Sequence, residues 1–446
     1  MKKTVAKNVF ILGLSGVAAK SFDFIFRAYY SRMLGTEGMG LLSLGFSLHS
    51  VMLTFATAGL GVAVSKITSE YMELKNSSAV KSCMHSALFG VSFLSLAVAA
   101  VTLLFSEKIA SVILGDERVS LSLCTLSPSV LFMGVSYCLK GCSYASRKIY
   151  PTAFSEILEQ TVKFISIKLL LEHFLPYGIE YGCGAVFAGI TIGEFSSCAF
   201  LLFIYIKEER KAYGLPYSEE TINSKNLVCR LLGVSIPAMI TSLCCSFLRM
   251  QEEVLIISAL KRGNMSHSEA VSVLGIIHGM VMPLLVLPLS LAGSVMSFIV
   301  PEISRAGVSS PRRLRRKTTA VYKAGALIGV SVGVFFLIFG SSLTNTIYNN
   351  STAATLIVCL APLCPVMFTD SLSCSVLNGL GKQLRLLGIT LADFALRLSI
   401  IYFALPEGKL TAFAVMIAAS NIFPCLLTFG STMKLTGQRH LRLSPQ

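Results

Sequence analysis

The sequence predicts an all-α integral membrane protein with about twelve transmembrane helices, arranged as two six-helix lobes around a central cavity. Three observations predict this class. Hydrophobic residues make up 54% of the 446 residues and charged residues only 14%. Apolar runs of roughly 18 or more residues, each long enough to cross a bilayer, recur from one end of the chain to the other. Motifs also repeat between the two halves of the chain, and internal repeats are common in transporters.

Window hydropathy gives the limits of the spans. The predicted spans cover about residues 8–34, 39–64, 83–105, 121–142, 152–171, 184–206, 229–260, 269–300, 319–340, 353–379, 385–405 and 410–433. Lys2, Lys3 and Lys7 precede the first apolar run, which is too long for the core of a signal peptide, so we expect the first span to be retained.

The distribution of positive charge between loops predicts the topology. Most lysines and arginines outside the spans fall in loops on the same side as the N-terminus, including the run RRLRRK at 312–317. The opposite loops hold Lys108, Arg118, Lys261, Arg262 and Lys409. Because cytoplasmic loops carry the excess of positive charge, we predict a multi-pass protein of the cell membrane with both termini in the cytoplasm.

Two motifs recur in the second half of the chain. GVAVSKITSE at 61–70 and GSVMSFIVPE at 293–302 share glycine, serine, isoleucine and glutamate at equal spacing. LKG at 139–141 parallels LNG at 377–379. Two copies in the same orientation predict lobes related by an axis along the membrane normal, with residues 1–217 forming the first lobe and residues 218–446 the second.

Longer stretches carry a family resemblance. FRAYYSRMLGTEGMGLLSL, GLGVAVSKITSEY, LPLSLAGSVMSFIVPEISRA and VLNGLGK resemble the multidrug/oligosaccharidyl-lipid/polysaccharide exporter superfamily, in particular its polysaccharide-transport branch. The resemblance implies flipping of an undecaprenyl-pyrophosphate-linked saccharide from the inner to the outer leaflet. In lipid II flippases of that branch, basic residues of the first span face the central cavity and serve the anionic substrate. Lys20 and Arg27 match that pattern.

Charges inside the first span need a polar environment. Lys20, Asp23 and Arg27 share one helical face, and Asp23 can pair with either cation. A charge facing lipid costs roughly 2.5–3.5 kcal/mol, so this face is expected to point into the protein. Two readings remain open: a cavity that binds the substrate's phosphates, or a structural ion-pair triad.

Other spans also carry charge. Glu156, Glu159 and Lys163 share one face of the fifth span, where structural pairing and substrate binding are equally supported. Arg249 of the seventh span is a further candidate for the substrate cavity. It can reach Glu252 or Glu253, which leaves one carboxylate for cation coupling or sugar hydroxyls. His278 of the eighth span is a weaker coupling candidate.

Further polar residues within the spans are expected to have structural roles. His49 is expected to bond a neighbouring helix, and Asp393 and Arg397 form an i,i+4 pair. Glu194 and Asp370 are each alone in their helices, so each needs a partner elsewhere or a bound proton.

Several functional classes are disfavoured. The formal net charge is +15, but the basic run at 312–317 obeys the membrane rule, so contact with anionic membrane lipids is favoured over nucleic acid. The chain has no nucleotide, cofactor or metal motif, and no long outer loop for the active site of a membrane glycosyltransferase. The expected partner is a lipid-linked anionic saccharide. The main rival is a cation-coupled exporter of drugs or metabolites.

The topology can be tested by labelling single cysteines introduced into a variant that lacks the thirteen native ones. A membrane-impermeant thiol reagent added to intact cells is expected to modify a cysteine at Asn349 and to spare one at Ser310. Permeabilised cells provide the control, because both positions should then react. Labelling of Ser310→Cys in intact cells would contradict the orientation.

Overall fold

The protein is helical throughout the part that the computed structural model describes, which comprises residues 2–57, 59–74, 76–146, 150–210, 224–296, 311–380 and 382–437. The α-helices are α1 (Lys2–Thr57), α2 (Leu60–Glu73), α3 (Ser77–Leu104), α4 (Ser106–Lys108), α5 (Ser120–Ala145), α6 (Tyr150–Phe174), α7 (Ile179–Arg210), α8 (Ser224–Arg262), α9 (His267–Leu274), α10 (Met282–Met296), α11 (Pro311–Tyr348), α12 (Ser351–Leu360), α13 (Cys364–Gly379), α14 (Gln383–Phe403) and α15 (Leu405–Gly437). Short π-helical or 3₁₀ segments adjoin several of them at Ile109–Leu114, Glu117–Val119, Leu175–Tyr177, Gly275–Val281 and Ala361–Leu363.

The described helices account for the predicted spans. Nine helical segments of the described chain are long and apolar enough to cross a membrane, and the first of them, Gly16–Thr57, overlaps the first two predicted spans. The fifth and seventh predicted spans correspond to α6 and α8, which are long helices with more charge along their length. An all-α multi-pass membrane protein is thereby confirmed.

Glycines mark two breaks near the start of the chain. Gly35 bends α1 with φ 67° and ψ −167°, between the first and second predicted spans. Gly59 adopts a left-handed conformation with φ 69° immediately before α2. The second predicted span is therefore interrupted near its end instead of running unbroken to residue 64. A glycine tolerates positive φ because it has no Cβ.

Polar caps and prolines set other helix limits. The side chain of Asn76 accepts a hydrogen bond from the backbone N–H of Ala79 at the start of α3, and Ser266 forms a capping box with Glu269 at the start of α9. Pro362 lies in the 3₁₀ turn Ala361–Leu363, which interrupts the tenth predicted span. The π-helical segment Gly275–Val281 interrupts the eighth predicted span just before Pro283.

The chain packs into two compact units. Unit 1 comprises Met1–Phe26 and Leu41–Val254, and unit 2 comprises Arg27–Gly40 and Leu255–Gln446. The segment Arg27–Gly40 thus belongs with the C-terminal half of the chain, and a Cβ at Gly275 would lie 2.6 Å from the backbone nitrogen of Gly40. The lobe boundary after residue 217 stays a prediction.

Each unit has its own apolar core. In unit 1, buried side chains of α2, α3, α5, α7 and α8 form one cluster, which includes Ile67, Met84 and Leu231. In unit 2, Tyr322 packs on Phe368 and Leu372, and its hydroxyl lies 2.8 Å from Ser373 Oγ. Large apolar side chains also point outward, such as Phe89 of α3 at 76% exposure, as expected for a lipid-facing surface.

A glycine stripe brings α11 against its neighbours. A Cβ at Gly329 would lie 2.8 Å from Pro365 Cα, and one at Gly333 would lie 3.1 Å from the carbonyl oxygen of Ala361. The spacing of Gly325, Gly329 and Gly333 therefore serves close helix packing.

Replacing Gly329 with alanine is expected to destabilise the protein by about 1–3 kcal/mol, because its Cβ would meet backbone that cannot shift cheaply. Gly388 of α14 provides the matched control: a Cβ there meets nothing within 4 Å. Gly388→Ala should be neutral or slightly stabilising, since alanine favours helix over glycine. Thermal unfolding of both variants in detergent tests this, and equal behaviour of the two would contradict it.

Candidate functional site

A buried ion pair lies in the middle of α6. Lys163 Nζ is 3.3 Å from Glu159 Oε1, one helical turn away. Lys163 is 9% exposed and Glu159 is 8% exposed. Burying either charge alone would cost several kcal/mol, so each stabilises the other's ionised form. The pairing that the sequence suggested is present.

Two glycines of α7 bring that helix onto this ion pair. A Cβ at Gly193 would lie 2.9 Å from Lys163 Cβ, and one at Gly189 would lie 2.8 Å from the backbone nitrogen of Ile167. The four-residue spacing of Gly189 and Gly193 is a small-residue packing motif. It places the next residue, Glu194, beside the ion pair.

Glu194 is the acidic residue for which the sequence required a partner or a proton. Its side chain is buried at 6% exposure. Glu159 and Lys163 both act on it electrostatically.

Residues from other helices of unit 1 surround these groups. The charge of Asp23, on α1, acts on Lys163, and the charge of Lys163 acts on the buried imidazole of His49. His49 Nε2 is hydrogen-bonded to Ser129 Oγ at 3.0 Å, so it bonds a neighbouring helix as expected. We call Asp23, Glu159, Lys163 and Glu194 the unit 1 charge cluster.

The other predicted residues of unit 1 lie in different surroundings. Lys20 is exposed, whereas Glu156 is half-buried and its charge acts on Tyr144 of α5. On α8, Arg249 is exposed, Glu252 is buried and Glu253 is half-buried. These three residues lie on α8, whereas the unit 1 charge cluster is built from α1, α6 and α7.

Unit 2 contains Arg27 and His278. The charge of Arg27, which is half-buried, acts on the buried Tyr348 at the end of α11. The ring of His278 meets that of Phe413 edge to face, with centroids 5.9 Å apart.

Arg32 binds the end of a helix. Its guanidinium donates to the backbone carbonyls of Thr346 and Ile347, near the C-terminus of α11. Carbonyls at a helix C-terminus lack intrahelical partners and carry partial negative charge, so a cation stabilises them. The side chain is exposed, but it is anchored to protein and does not simply extend to the membrane surface.

Two further predicted polar sites have local partners in unit 2. Arg397 Nε donates to Asp393 Oδ2 at 2.9 Å, which is the predicted i,i+4 pair. Thr428 Oγ1 donates to Asp370 Oδ1 at 2.8 Å, so the partner that Asp370 required comes from α15. Among the described residues, no group of three or more histidine, cysteine or acidic side chains is arranged to hold a metal ion.

Solved structures share this fold. A multidrug resistance transporter of the MATE family, within the MOP superfamily, matches with a TM-score of 0.72 at 12% identity, covering 95% of this chain and 98% of its own. A MOP superfamily transporter from Pyrococcus furiosus matches with a TM-score of 0.68 at 13% identity, covering 99% and 97%. The chain therefore has the fold of membrane transporters in the MOP superfamily.

Sequence comparison then defines the family. Residues 5–307 match the family model described as polysaccharide biosynthesis protein, and the chain belongs to that family. Stage V sporulation protein B of Bacillus subtilis is 26% identical over 367 residues, covering 81% of this chain and 70% of the relative. The lipid II flippase MurJ of Bacillus subtilis is 20% identical over 404 residues, covering 86% and 74%. The family and its structural neighbours are transporters and flippases, not enzymes.

Variants of Glu194 test whether this buried residue holds a bound proton. Glu194→Gln keeps a hydrogen-bond donor for Glu159 and is expected to remain as stable as the native protein. Glu194→Leu removes the partner and should cost about 1–3 kcal/mol. Thermal unfolding in detergent measures both, with Glu180→Gln on the same helix as the control. If Glu194→Gln is as unstable as Glu194→Leu, residue 194 carries a full charge and the proton assignment is wrong.

Proposed function

We propose that the protein flips an undecaprenyl-pyrophosphate-linked saccharide from the inner to the outer leaflet of the cell membrane by alternating access. The observation that carries this proposal is the similarity to a lipid II flippase along 86% of the chain. Membership of the polysaccharide biosynthesis family supports the same class of substrate.

The substrate's charge explains cations within the spans. A pyrophosphate group carries several negative charges, and moving it across a hydrocarbon layer requires compensating positive charge on the way. Helix α1 carries Lys20 and Arg27, and it lies within the range that matches the family. We propose that both cations bind the pyrophosphate, while Asp23 holds them between transport cycles.

The remaining predicted substrate residues have unequal support. Lys163 is neutralised by Glu159 and sits within the unit 1 charge cluster. This favours a structural or proton-holding role over direct phosphate binding. Glu156 is half-buried and Arg249 is exposed, so both remain proposed contacts for the saccharide or its phosphates.

The proposal includes an orientation and a division of the chain. With both termini in the cytoplasm, the inner leaflet, from which the substrate starts, lies on the side of the most basic loops. Two six-helix lobes, 1–217 and 218–446, would move against each other around the substrate in alternating access.

A cation-coupled exporter of drugs or metabolites is the second candidate. It is favoured by the likeness of the fold to a MATE multidrug transporter and by the burial of Glu252 at 4% exposure. In that function Glu252, Glu253 and His278 would couple transport to a cation. The two candidates differ in substrate, so purified protein in liposomes can be offered both a lipid-linked saccharide and cationic drugs.

Variants of the first span test the flippase directly. Arg27→Ala is expected to lower the flipping rate more than Lys20→Ala, because a guanidinium can bind phosphate bidentately whereas an ammonium acts as a point charge. Arg27→Lys should restore part of the rate. The measurement is movement of a labelled undecaprenyl-pyrophosphate saccharide between leaflets of proteoliposomes, with Lys168→Ala as the control.

A structural role for Lys20, Asp23 and Arg27 predicts a different pattern. All three neutral variants would then lose stability, and the double variant Asp23→Asn/Arg27→Gln would be milder than either single one. A native flipping rate for Arg27→Ala would exclude its role in the substrate cavity. Transport of drugs without flipping of the lipid would favour the second candidate.

A further inference from the structure

A cavity of about 490 Å³ lies in unit 1 between α2 and α5. Its volume falls within the range of roughly 300–1,000 Å³ that is typical of small-molecule sites. The cavity involves neither the unit 1 charge cluster nor the carboxylates of α8. Its polar lining consists of Ser65, Lys66, Ser69, Tyr137, Lys140 and Tyr144.

Two glycines form the wall of the cavity at which α2 and α5 approach each other closely. A Cβ at Gly141 would lie 2.6 Å from the carbonyl oxygen of Gly61, and a Cβ at Gly61 would collide with the ring of Tyr137. At Gly61 and Gly141 the backbones of the two helices therefore approach each other with no side chain between them. Ser65 and Ser69 follow Gly61 at four-residue intervals, so all three lie on the face of α2 that turns toward α5.

The same glycines belong to the repeated motifs. Gly61, Ser65 and Gly141 recur in the second half of the chain, but the lysines do not. Phe298 occupies the place of Lys66, and Asn378 that of Lys140. The shared residues are therefore explained by helix packing, whereas the two cations are an addition specific to the first copy.

The lining of the cavity carries net positive charge. None of its lining residues is acidic. The acidic residue of α2 that is closest in sequence, Glu70, pairs with Arg230 of α8. Among the described residues neither Lys66 nor Lys140 forms an ion pair, although the charge of Lys140 acts at longer range on Glu194. Two such ammonium groups beside four hydroxyl groups form a binding site for an anion rich in oxygen.

We propose that the cavity between α2 and α5 binds the phosphate groups of an anionic lipid head. The two ammonium groups contact the phosphate oxygens, the serine hydroxyls donate to them, and the exposed rings of Tyr137 and Tyr144 cover the adjoining part of the head. The inference rests on the proposed function for the source of the phosphate, a pyrophosphate-linked saccharide. An anionic phospholipid offers the same chemistry.

Binding of inorganic pyrophosphate to the full chain tests the site. The protein is placed in nanodiscs of phosphatidylcholine, and pyrophosphate binding is followed by isothermal titration. Lys66→Gln and Lys140→Gln are each expected to weaken binding about tenfold, and the double variant more, since each loses a charged contact. Lys66→Arg and Lys140→Arg should retain binding.

Lys81→Gln is the matched control, because Lys81 lies in the same unit, outside the cavity lining, and loses the same charge. Native affinity in the double variant, equal loss in Lys81→Gln or no binding by the native chain would overturn the proposal. If the double variant fails to fold, as judged by thermal unfolding, the two single variants and their arginine counterparts decide the matter.

Competition distinguishes the two sources of phosphate. Displacement of pyrophosphate by undecaprenyl pyrophosphate, but not by phosphatidylglycerol, supports a substrate site. Displacement by phosphatidylglycerol as well supports a phosphate site that is occupied by membrane lipid.

The experiments distinguish rejection of this binding site from rejection of the flippase function. Pyrophosphate binding that depends on both lysines, in a protein that flips nothing, keeps the site and rejects the flippase. Unchanged binding and flipping in the double variant reject the site alone.

Discussion

Neutralising charge between apolar helices is the constraint on which unit 1 depends. Lys163 is surrounded by carboxyl groups from three helices, with Glu159 at 3.3 Å, and Glu194 and Asp23 acting on it from α7 and α1. Three carboxylates around one ammonium would leave a net negative charge that a dry interior does not tolerate. A proton on one of these carboxyl groups is the expected means of relieving this charge, as the sequence required for Glu194. Electrostatic interactions within the cluster connect α1, α6 and α7.

Glycine makes such contacts between helices possible. In a membrane the hydrophobic effect does not drive helices together, so close approach and polar contacts carry more of the association. Gly193 admits α7 to the ion pair of α6, Gly61 and Gly141 bring α2 against α5, and Gly329 seats α11 on Pro365. At two of these three contacts the neighbouring residues are functional candidates: the charge cluster in one case and the lysine-lined cavity in the other.

Lysines with and without a carboxylate partner differ in how strongly they can bind a phosphate group. An ammonium that already has a carboxylate partner gains little from a phosphate, because the phosphate must displace that partner. Lys163 belongs to this class. Lys66 and Lys140 have no ion-pair partner among the described residues and line an open cavity, so an anionic head gains their full attraction. In the proposed function, the cations that bind the substrate's phosphates therefore differ from those that stabilise the fold.

Local patterns in the sequence determined the class of protein, the positions of the spans, the break at Gly35 and the pairs Glu159–Lys163 and Asp393–Arg397. Each depends on residues within about one helical turn or on hydropathy along one helix. Tertiary structure alone decided the partners of Glu194 and Asp370 and the interruption of the second span at Gly59. It also decided that Arg27–Gly40 packs with unit 2 and that Lys66 and Lys140 line the same cavity. The sequence indicated that Glu194 needed a partner, and the spacing of Gly189 and Gly193 beside it was an available signal. The identity of the partner depends on which faces of distant helices touch, and that is set by packing between residues far apart in the chain.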